Sequence, residues 1–188
     1  MKNLDKTFVR QLDQTDCGVA CLLSIIKFYG GSATLESLRK LSGTNRQGTT
    51  MLGLYQAASG LGFEANGCEA TMEALINHGA PVILHVILEQ RIQHYVVCYG
   101  FRDGMFTVGD PAKGITHLTV DELKSIWKSK TCLTLSPNKD FVKSTTTVKI
   151  KKAWLRDLIK DDLRLLTISA VIGVVIAVLG MSMAIFSK

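Results

Sequence analysis

The sequence predicts an α+β domain followed by an amphipathic helix and a transmembrane helix. Helical patterns dominate the first 80 residues, β-branched and aromatic runs follow Pro81, and an uncharged apolar segment lies near the C-terminus. Helices followed by antiparallel strands are typical of the α+β class. A chain of 188 residues has room for one ordinary soluble domain and a short extension, which excludes a large multidomain assembly.

The helices are predicted from apolar periodicity and from capping residues. The run 17–31 is apolar on almost every face and ends in two glycines, which predicts a buried central helix. Asp16 or Thr15 is placed to cap its start. A further helix begins at a capping box formed by Thr119 and Glu122. That helix spans 120–128, and three more helices are predicted over 34–41, 50–59 and 71–78.

The strands are predicted from runs rich in β-branched and aromatic residues. These runs span 82–88, 94–101, 105–109 and 131–136. Arg102, Asp103 and Gly104 separate the second run from the third and indicate a hairpin turn. The domain built from these helices and strands is expected to cover residues 1–136.

The C-terminal part is predicted to approach and cross a membrane. Residues 137–149 have the composition of a linker, and 150–164 place their apolar residues on one helical side, as in an interfacial helix. The uncharged segment 165–186 would be about 33 Å long as a helix, enough to cross a hydrocarbon core of about 30 Å. A buried core helix is the alternative, but such helices are usually shorter and rarely uncharged on every face.

The net charge of +6 predicts the topology of this membrane segment. Only Lys188 follows the apolar run, whereas six cations precede it: Lys149, Lys151, Lys152, Arg156, Lys160 and Arg164. The positive-inside rule then places the N-terminal domain on the cytoplasmic side of the plasma membrane, and the basic segment suits anionic lipid headgroups. The rest of the chain is nearly neutral and has no basic stripe with interleaved aromatics, which argues against nucleic-acid binding.

Cys17 is the candidate nucleophile among five cysteines. Their odd number and scattered spacing favour free thiols, and no second ligand pair accompanies Cys17 and Cys21 to make a metal site. At the first turn of a helix, Cys17 lies at the positive end of the helix dipole, which stabilises a thiolate. An inert buried cysteine is equally compatible with this position until a base is identified.

His94 is the candidate base, because an aspartate follows it at a useful distance. If residues 102–104 form a three-residue loop, His94 faces Ala112, and Asp110 lies on the same face of the sheet. Asp110 can then orient the imidazole through one ring nitrogen while the other faces the thiol. A two-residue loop would place Asp110 on the other face. The remaining histidines, His78, His85 and His117, are interpreted as structural or solvated.

Gln11 is the candidate oxyanion donor. It precedes Cys17 by six residues, just ahead of the central helix, and offers a neutral side-chain donor beside the backbone N–H of Cys17. Without the other candidate residues, a surface glutamine is the better interpretation of Gln11.

Three motifs together resemble a known family. The segments QLDQTDCGVAC (11–21), HYVVCYG (94–100) and GDPA (109–112) precede a basic amphipathic segment and an apolar helix. In this combination the chain resembles the N-terminal papain-like cysteine peptidase domain of bacterial peptidase-containing ABC exporters. The resemblance implies a papain-like α+β fold over 1–136, with the entry into the exporter's first membrane helix over 150–188. It also implies Cys17 as nucleophile, His94 as base, Asp110 as orienting carboxylate and Gln11 as oxyanion donor.

The resemblance further implies a substrate and partners. The expected substrate is a bacteriocin or signalling-peptide precursor whose leader ends in a double-glycine motif, and the remainder of an ABC exporter, homodimeric in full length, would export the product. The lipid bilayer is the other expected partner. No phosphate-binding GxxxxGK[ST] loop is present, so the chain is expected to be a fragment or truncated form that needs no cofactor or metal, with ATP belonging to the missing nucleotide-binding domain.

Two other functions remain as alternatives. One is a catalytically silent domain that only docks the leader peptide, which the presence of all four candidate residues disfavours. The other is a membrane-tethered thiol acyltransferase, for which the sequence shows no acceptor site.

Overall fold

A computed structural model describes residues 4–89, 91–143, 167–169, 171–174 and 176. Contacts divide the chain into two units, Met1–Ser144 and Thr145–Lys188. The predicted interfacial helix at 150–164 lies outside the described residues, as does most of the predicted transmembrane segment, whose described residues are helical. Within the ranges that are described, no helix is both long and apolar enough to cross a membrane.

The first unit combines helices with a single antiparallel sheet. Its helices are α1 (Leu4–Thr7), α2 (Cys17–Phe28), α3 (Leu35–Ser42), α4 (Met51–Gly60), α5 (Met72–Asn77) and α6 (Val120–Ile126), with a 3₁₀ turn at Gln14–Asp16. Its strands are β1 (Phe63–Glu69), β2 (Val82–Leu88), β3 (Ile92–Arg102), β4 (Met105–Asp110), β5 (Gly114–Thr119) and β6 (Thr131–Pro137). Over the described residues the sheet has the order β1-β6-β2-β3-β4-β5. The predicted α+β class is therefore confirmed.

Two strands were not predicted from the sequence. β1 has the sequence FEANGCE and buries only Phe63, and β5 buries only Gly114. Neither strand has the run of apolar β-branched residues on which the prediction relied. Pairing with a neighbour makes them strands, since β1 pairs along its whole length with β6 and β5 with β4.

The helix caps follow the sequence except at the central helix. Thr34, Thr50, Thr71 and Thr119 each accept a backbone N–H at the start of α3, α4, α5 and α6. Asp16 occupies the N-cap position of α2, but its side chain makes no capping bond. The prediction of a side-chain cap at Asp16 or Thr15 was therefore wrong, because the Asp16 carboxylate bonds elsewhere.

The central helix organises the larger of two core clusters. α2 is buried continuously from Cys17 to Ile26, as its all-round apolar pattern predicts, and packs on β3. The second cluster joins the sheet to α5 and α6 and includes Phe106, Leu123 and Trp127. The N-terminus of α2 is thus held firmly against the strand that carries His94.

Candidate active site

The β3–β4 hairpin sets the positions of His94 and Asp110. Its loop has two residues, since Arg102 pairs with Met105, and not the predicted three. Asp103 and Gly104 both have positive φ, 53° and 80°, as a type I′ turn requires. Continued without interruption, this register would place Asp110 on the face of the sheet opposite His94.

A β-bulge at Tyr99 corrects this register. Gly100 pairs with Thr107 but Cys98 pairs with Val108, so Tyr99 is an extra residue on β3. Beyond the bulge the pairing is the one that a three-residue loop would have produced. Asp110 and the histidine therefore share a face, as expected, although the loop assumption behind that expectation was wrong.

His94 and Asp110 form a buried hydrogen-bonded pair. The distance between His94 Nε2 and Asp110 Oδ1 is 2.7 Å, and the two residues are only 6% and 7% exposed. Oδ1 also accepts the backbone N–H of Ala112 at 2.9 Å. Burial raises the pKa of Asp110, but the hydrogen bonds from His94 and Ala112 outweigh it and hold the pKa below its ordinary value. Asp110 is therefore a carboxylate at neutral pH.

Cys17 is the second hydrogen-bond partner of the His94 imidazole. Its thiol is hydrogen-bonded to His94, and because Nε2 is occupied by Asp110, Nδ1 is the ring nitrogen left for the sulfur. Burial lowers the pKa of His94, but the hydrogen bonds to Asp110 and Cys17 exceed that effect and raise it to about 9. His94 is consequently an imidazolium at neutral pH, able to donate through both ring nitrogens.

A second ion pair supports the turn that carries Cys17. The Asp16 carboxylate, fully buried, accepts Arg39 Nε at 2.7 Å and Arg39 Nη2 at 2.5 Å. It also accepts the backbone N–H of Asp13 at 3.0 Å. The hydrogen bond from Arg39 holds the pKa of Asp16 below its ordinary value in spite of burial. The residue before Cys17 is thus fixed to α3 by a bidentate contact, which was not predicted from the sequence.

Gln11 is held close to the Asp110 turn. Its backbone N–H donates to the Pro111 carbonyl at 3.1 Å, and two residues earlier the Val9 N–H donates to Ser24 Oγ on α2 at 2.9 Å. The side-chain atom Oε1 of Gln11 is buried without a hydrogen-bond partner among the described residues. This unused atom is an acceptor and would take an N–H or O–H group, whereas an oxyanion would be bound by the amide N–H of the same side chain.

The remaining histidines make other contacts. The His85 ring packs against Tyr95 at 5.3 Å between centroids, and His117 Nδ1 lies 3.3 Å from Thr107 Oγ1. His78 ends α5. Across the described ranges, no group of three or more His, Cys, Asp or Glu side chains could hold a metal ion.

A helix-borne cysteine beside a strand-borne histidine–aspartate pair, in this α+β fold, defines the class of papain-like cysteine peptidases. The sequence profile of the peptidase C39 family matches residues 5–140. The chain therefore belongs to the peptidase C39 family, a family of cysteine peptidases.

Curated relatives and solved structures agree with this assignment. The lactococcin-G-processing and transport ATP-binding protein LagD of Lactococcus lactis is 35% identical over 170 residues, covering 89% of this chain and 24% of that protein. The transport/processing ATP-binding protein ComA of Streptococcus pneumoniae is 35% identical over 135 residues, covering 70% of this chain and 19% of that protein. This chain thus spans about a quarter or less of these relatives.

Two solved peptidase domains share the fold. The peptidase domain of Streptococcus ComA superposes with a TM-score of 0.65 at 39% identity, covering 69% of this chain and 97% of that chain. A double glycine motif protease from an AMS/PCAT transporter, solved in complex with its leader peptide, has a TM-score of 0.64 at 30% identity, covering 69% of this chain and 90% of that chain.

Proposed function

We propose that this peptidase domain removes double-glycine leader peptides from bacteriocin or signalling-peptide precursors by means of Cys17, His94, Asp110 and Gln11. The observation that carries the proposal is the pair of buried hydrogen bonds that join Cys17 to His94 and His94 to Asp110. The similar protease bound to a leader peptide, and relatives named for processing and transport, support the choice of substrate.

The chemistry begins with Cys17 as the nucleophile and His94 as its proton partner. The sulfur lies at the first turn of α2, at the positive end of the helix dipole, and next to the His94 imidazole, which is protonated at neutral pH. The Cys17 sulfur attacks the carbonyl carbon of the second glycine, and a thioester forms as the peptide bond to the next residue breaks. His94 then donates its Nδ1 proton to the leaving amine, and in the second half-reaction it takes a proton from the water that hydrolyses the thioester.

Of the remaining two residues, Asp110 orients the imidazole and Gln11 stabilises the oxyanion. Asp110 holds the imidazole through Nε2, so that Nδ1 keeps its direction towards the sulfur while the proton moves. Gln11 donates its side-chain N–H to the oxyanion, together with the backbone N–H of Cys17. The backbone hydrogen bond from Gln11 to Pro111, next to the turn that carries Asp110, supports this role.

The wider setting is also proposed. Segment 165–186 would enter the membrane, an interpretation supported by its uncharged sequence and by the exposure of Val171, Val174 and Ile176. The domain would then face the cytoplasm, where precursors are made, and would work with the remainder of a homodimeric ABC exporter. ATP would bind only to that remainder.

The test is cleavage of a synthetic precursor by the full chain and its variants, followed by mass spectrometry. We expect a single cut after the double-glycine motif, its complete loss in Cys17→Ala, and unchanged cleavage in the control Cys68→Ala, whose thiol lies on β1. Leader binding, measured by fluorescence anisotropy, should survive in Cys17→Ala. Residual cleavage by that variant would refute Cys17 as nucleophile, and binding without cleavage by the unmodified chain would support a silent docking domain.

A further inference from the structure

Cys68 and Cys132 face each other across two neighbouring strands. They are directly paired in the antiparallel register of β1 and β6, and their sulfur atoms lie 3.6 Å apart. Directly opposite residues in such a pair have Cα atoms about 4.5–5.5 Å apart, which lies within the range of about 4.4–6.8 Å spanned by disulfides. A bond between these sulfurs therefore requires side-chain rotation and no change of strand register.

A pocket gives small molecules access to this pair. Its volume is about 380 Å³, and both cysteines line it. Cys132 is only 2% exposed, whereas Cys68 is half-buried, so Cys68 is the thiol that a reagent reaches first. His78 lines the same pocket, and its buried Nε2 has no hydrogen-bond partner in the described part of the chain.

The chemical environment of Cys132, like its low exposure, makes it the slower of the two thiols to react first. Burial, and then the hydrogen bond with Cys68, raise the pKa of Cys132 to about 12. Cys132 is therefore a poor first nucleophile but is in place to attack Cys68 Sγ once that sulfur is held in a mixed disulfide. Cys68 therefore has the position of an attacking cysteine, and Cys132 that of a resolving cysteine.

We propose that Cys68 and Cys132 form a reversible dithiol–disulfide site that reacts with low-molecular-weight disulfides. The Cys68 thiolate attacks one sulfur of the small disulfide, forming a mixed disulfide and releasing one small thiol. The Cys132 sulfur then attacks Cys68 Sγ, the mixed disulfide breaks, and a second small thiol leaves. Two protein thiols are oxidised and one small disulfide is reduced to two thiols, with the two protons transferred to the products.

The site is separate from the candidate active site. Strands β6 and β2 lie between β1 and β3, which carries His94, and Cys17 packs in the core cluster that does not contain Cys132. A Cys68–Cys132 bond would close a loop between residues 64 positions apart. Because such a loop restricts the unfolded chain, the oxidised protein should melt at a higher temperature than the reduced protein.

The experiment uses the full chain carrying Cys17→Ala, which removes the competing nucleophile. The protein is equilibrated in glutathione buffers of increasing oxidised fraction, its free thiols are alkylated, and peptides are analysed without reduction. We expect one linked peptide pair containing Cys68 and Cys132, two alkylated sites fewer than in the reduced protein, and a higher Tm. Adding dithiothreitol should reverse all three changes.

Matched variants identify the pair. Cys68→Ser and Cys132→Ser should each abolish the linked peptide and the rise in Tm, whereas Cys98→Ser, at a buried thiol in the same core cluster as Cys132, should preserve both. If every thiol remains open to alkylation at the most oxidising ratio, the proposal fails. It fails equally if the bond that forms joins other cysteines or persists in Cys68→Ser.

Discussion

His94 Nε2 lies 2.7 Å from Asp110 Oδ1 although the loop between their strands would by itself separate them onto opposite faces of the sheet. The extra residue at Tyr99 shifts the register by one and brings the two side chains together. The pair therefore depends on two features whose effects on the register compensate each other, a two-residue type I′ turn and a one-residue bulge.

The pH dependence of cleavage should report the His94 pKa of about 9. We expect kcat/KM to decline above that pH, because neutral His94 cannot protonate the leaving amine. Asp110→Asn should lower the rate and move this alkaline limb to lower pH, because the lost carboxylate no longer favours the imidazolium. The measurement is a pH profile of kcat/KM for both proteins, and coincident limbs would contradict the assigned role of Asp110.

Folding stability should depend on the same proton. The pKa of His94 is raised in the folded state, so its contribution to stability is fully present below its ordinary value of 6.5 and is lost as pH rises through about 9. Urea unfolding at a series of pH values should show this decline in the free energy of unfolding. His94→Gln should flatten it, and an equal decline in that variant would assign it to other groups.

Gln11→Ala should reduce kcat by about 10²–10³ with little change in stability, the typical effect of removing one oxyanion donor. Gln14→Ala is the matched control, because Gln14 is an exposed glutamine on the neighbouring 3₁₀ turn. Steady-state kinetics and thermal melts distinguish a catalytic loss from an unfolding effect. Equal rates in the two variants would show that Gln11 is not a donor.

Arg39→Gln should destabilise the domain, because it leaves the fully buried Asp16 carboxylate without its cation. The pKa of Asp16 is depressed in the folded state, so this contribution is present above its ordinary value of 3.8 and is lost as pH falls through the folded pKa. The variant's deficit in urea midpoint should therefore be large at pH 7 and shrink in acid. Arg46→Gln, at an exposed arginine, should have no such deficit.

Two glycines of α4 should respond oppositely to alanine. A Cβ at Gly53 would collide with the backbone carbonyl oxygen of Ser42, whereas a Cβ at Gly60 meets nothing within 4 Å. Gly53→Ala should lose at least about 1–3 kcal/mol of stability. Gly60→Ala should be neutral or gain up to about 1 kcal/mol through the higher helix propensity of alanine. Chemical denaturation of both variants tests the α3–α4 packing directly.

Local signals in the sequence were enough to predict the α+β class, five of the helices and four strands. The threonine caps and the apolar pattern of α2 depend only on residues that are close together in the chain, so they can be recognised in a single sequence. β1 and β5 were not predicted, because partner strands rather than their own composition make them extended.

The structure brings together three of the four candidate residues, Cys17, His94 and Asp110, through features that were not predicted from the sequence. The same-face placement of Asp110 was anticipated from an incorrect three-residue loop. The bulge at Tyr99 was missed, although Gly100, a glycine inside a strand with a φ of 133°, is the type of residue that often marks one. The contact between Asp16 and Arg39 joins residues 23 positions apart, and only the packing of α3 against α2 creates it.

The position of β6 determines when this enzyme can become active during its own synthesis. β6 is the last strand in the sequence, yet it lies between β1 and β2. A nascent chain that has released Gln11, Cys17, His94 and Asp110 from the ribosome still lacks the strand that joins the two parts of the sheet. The domain can complete its fold, and begin to cut peptides, only after translation has passed Pro137.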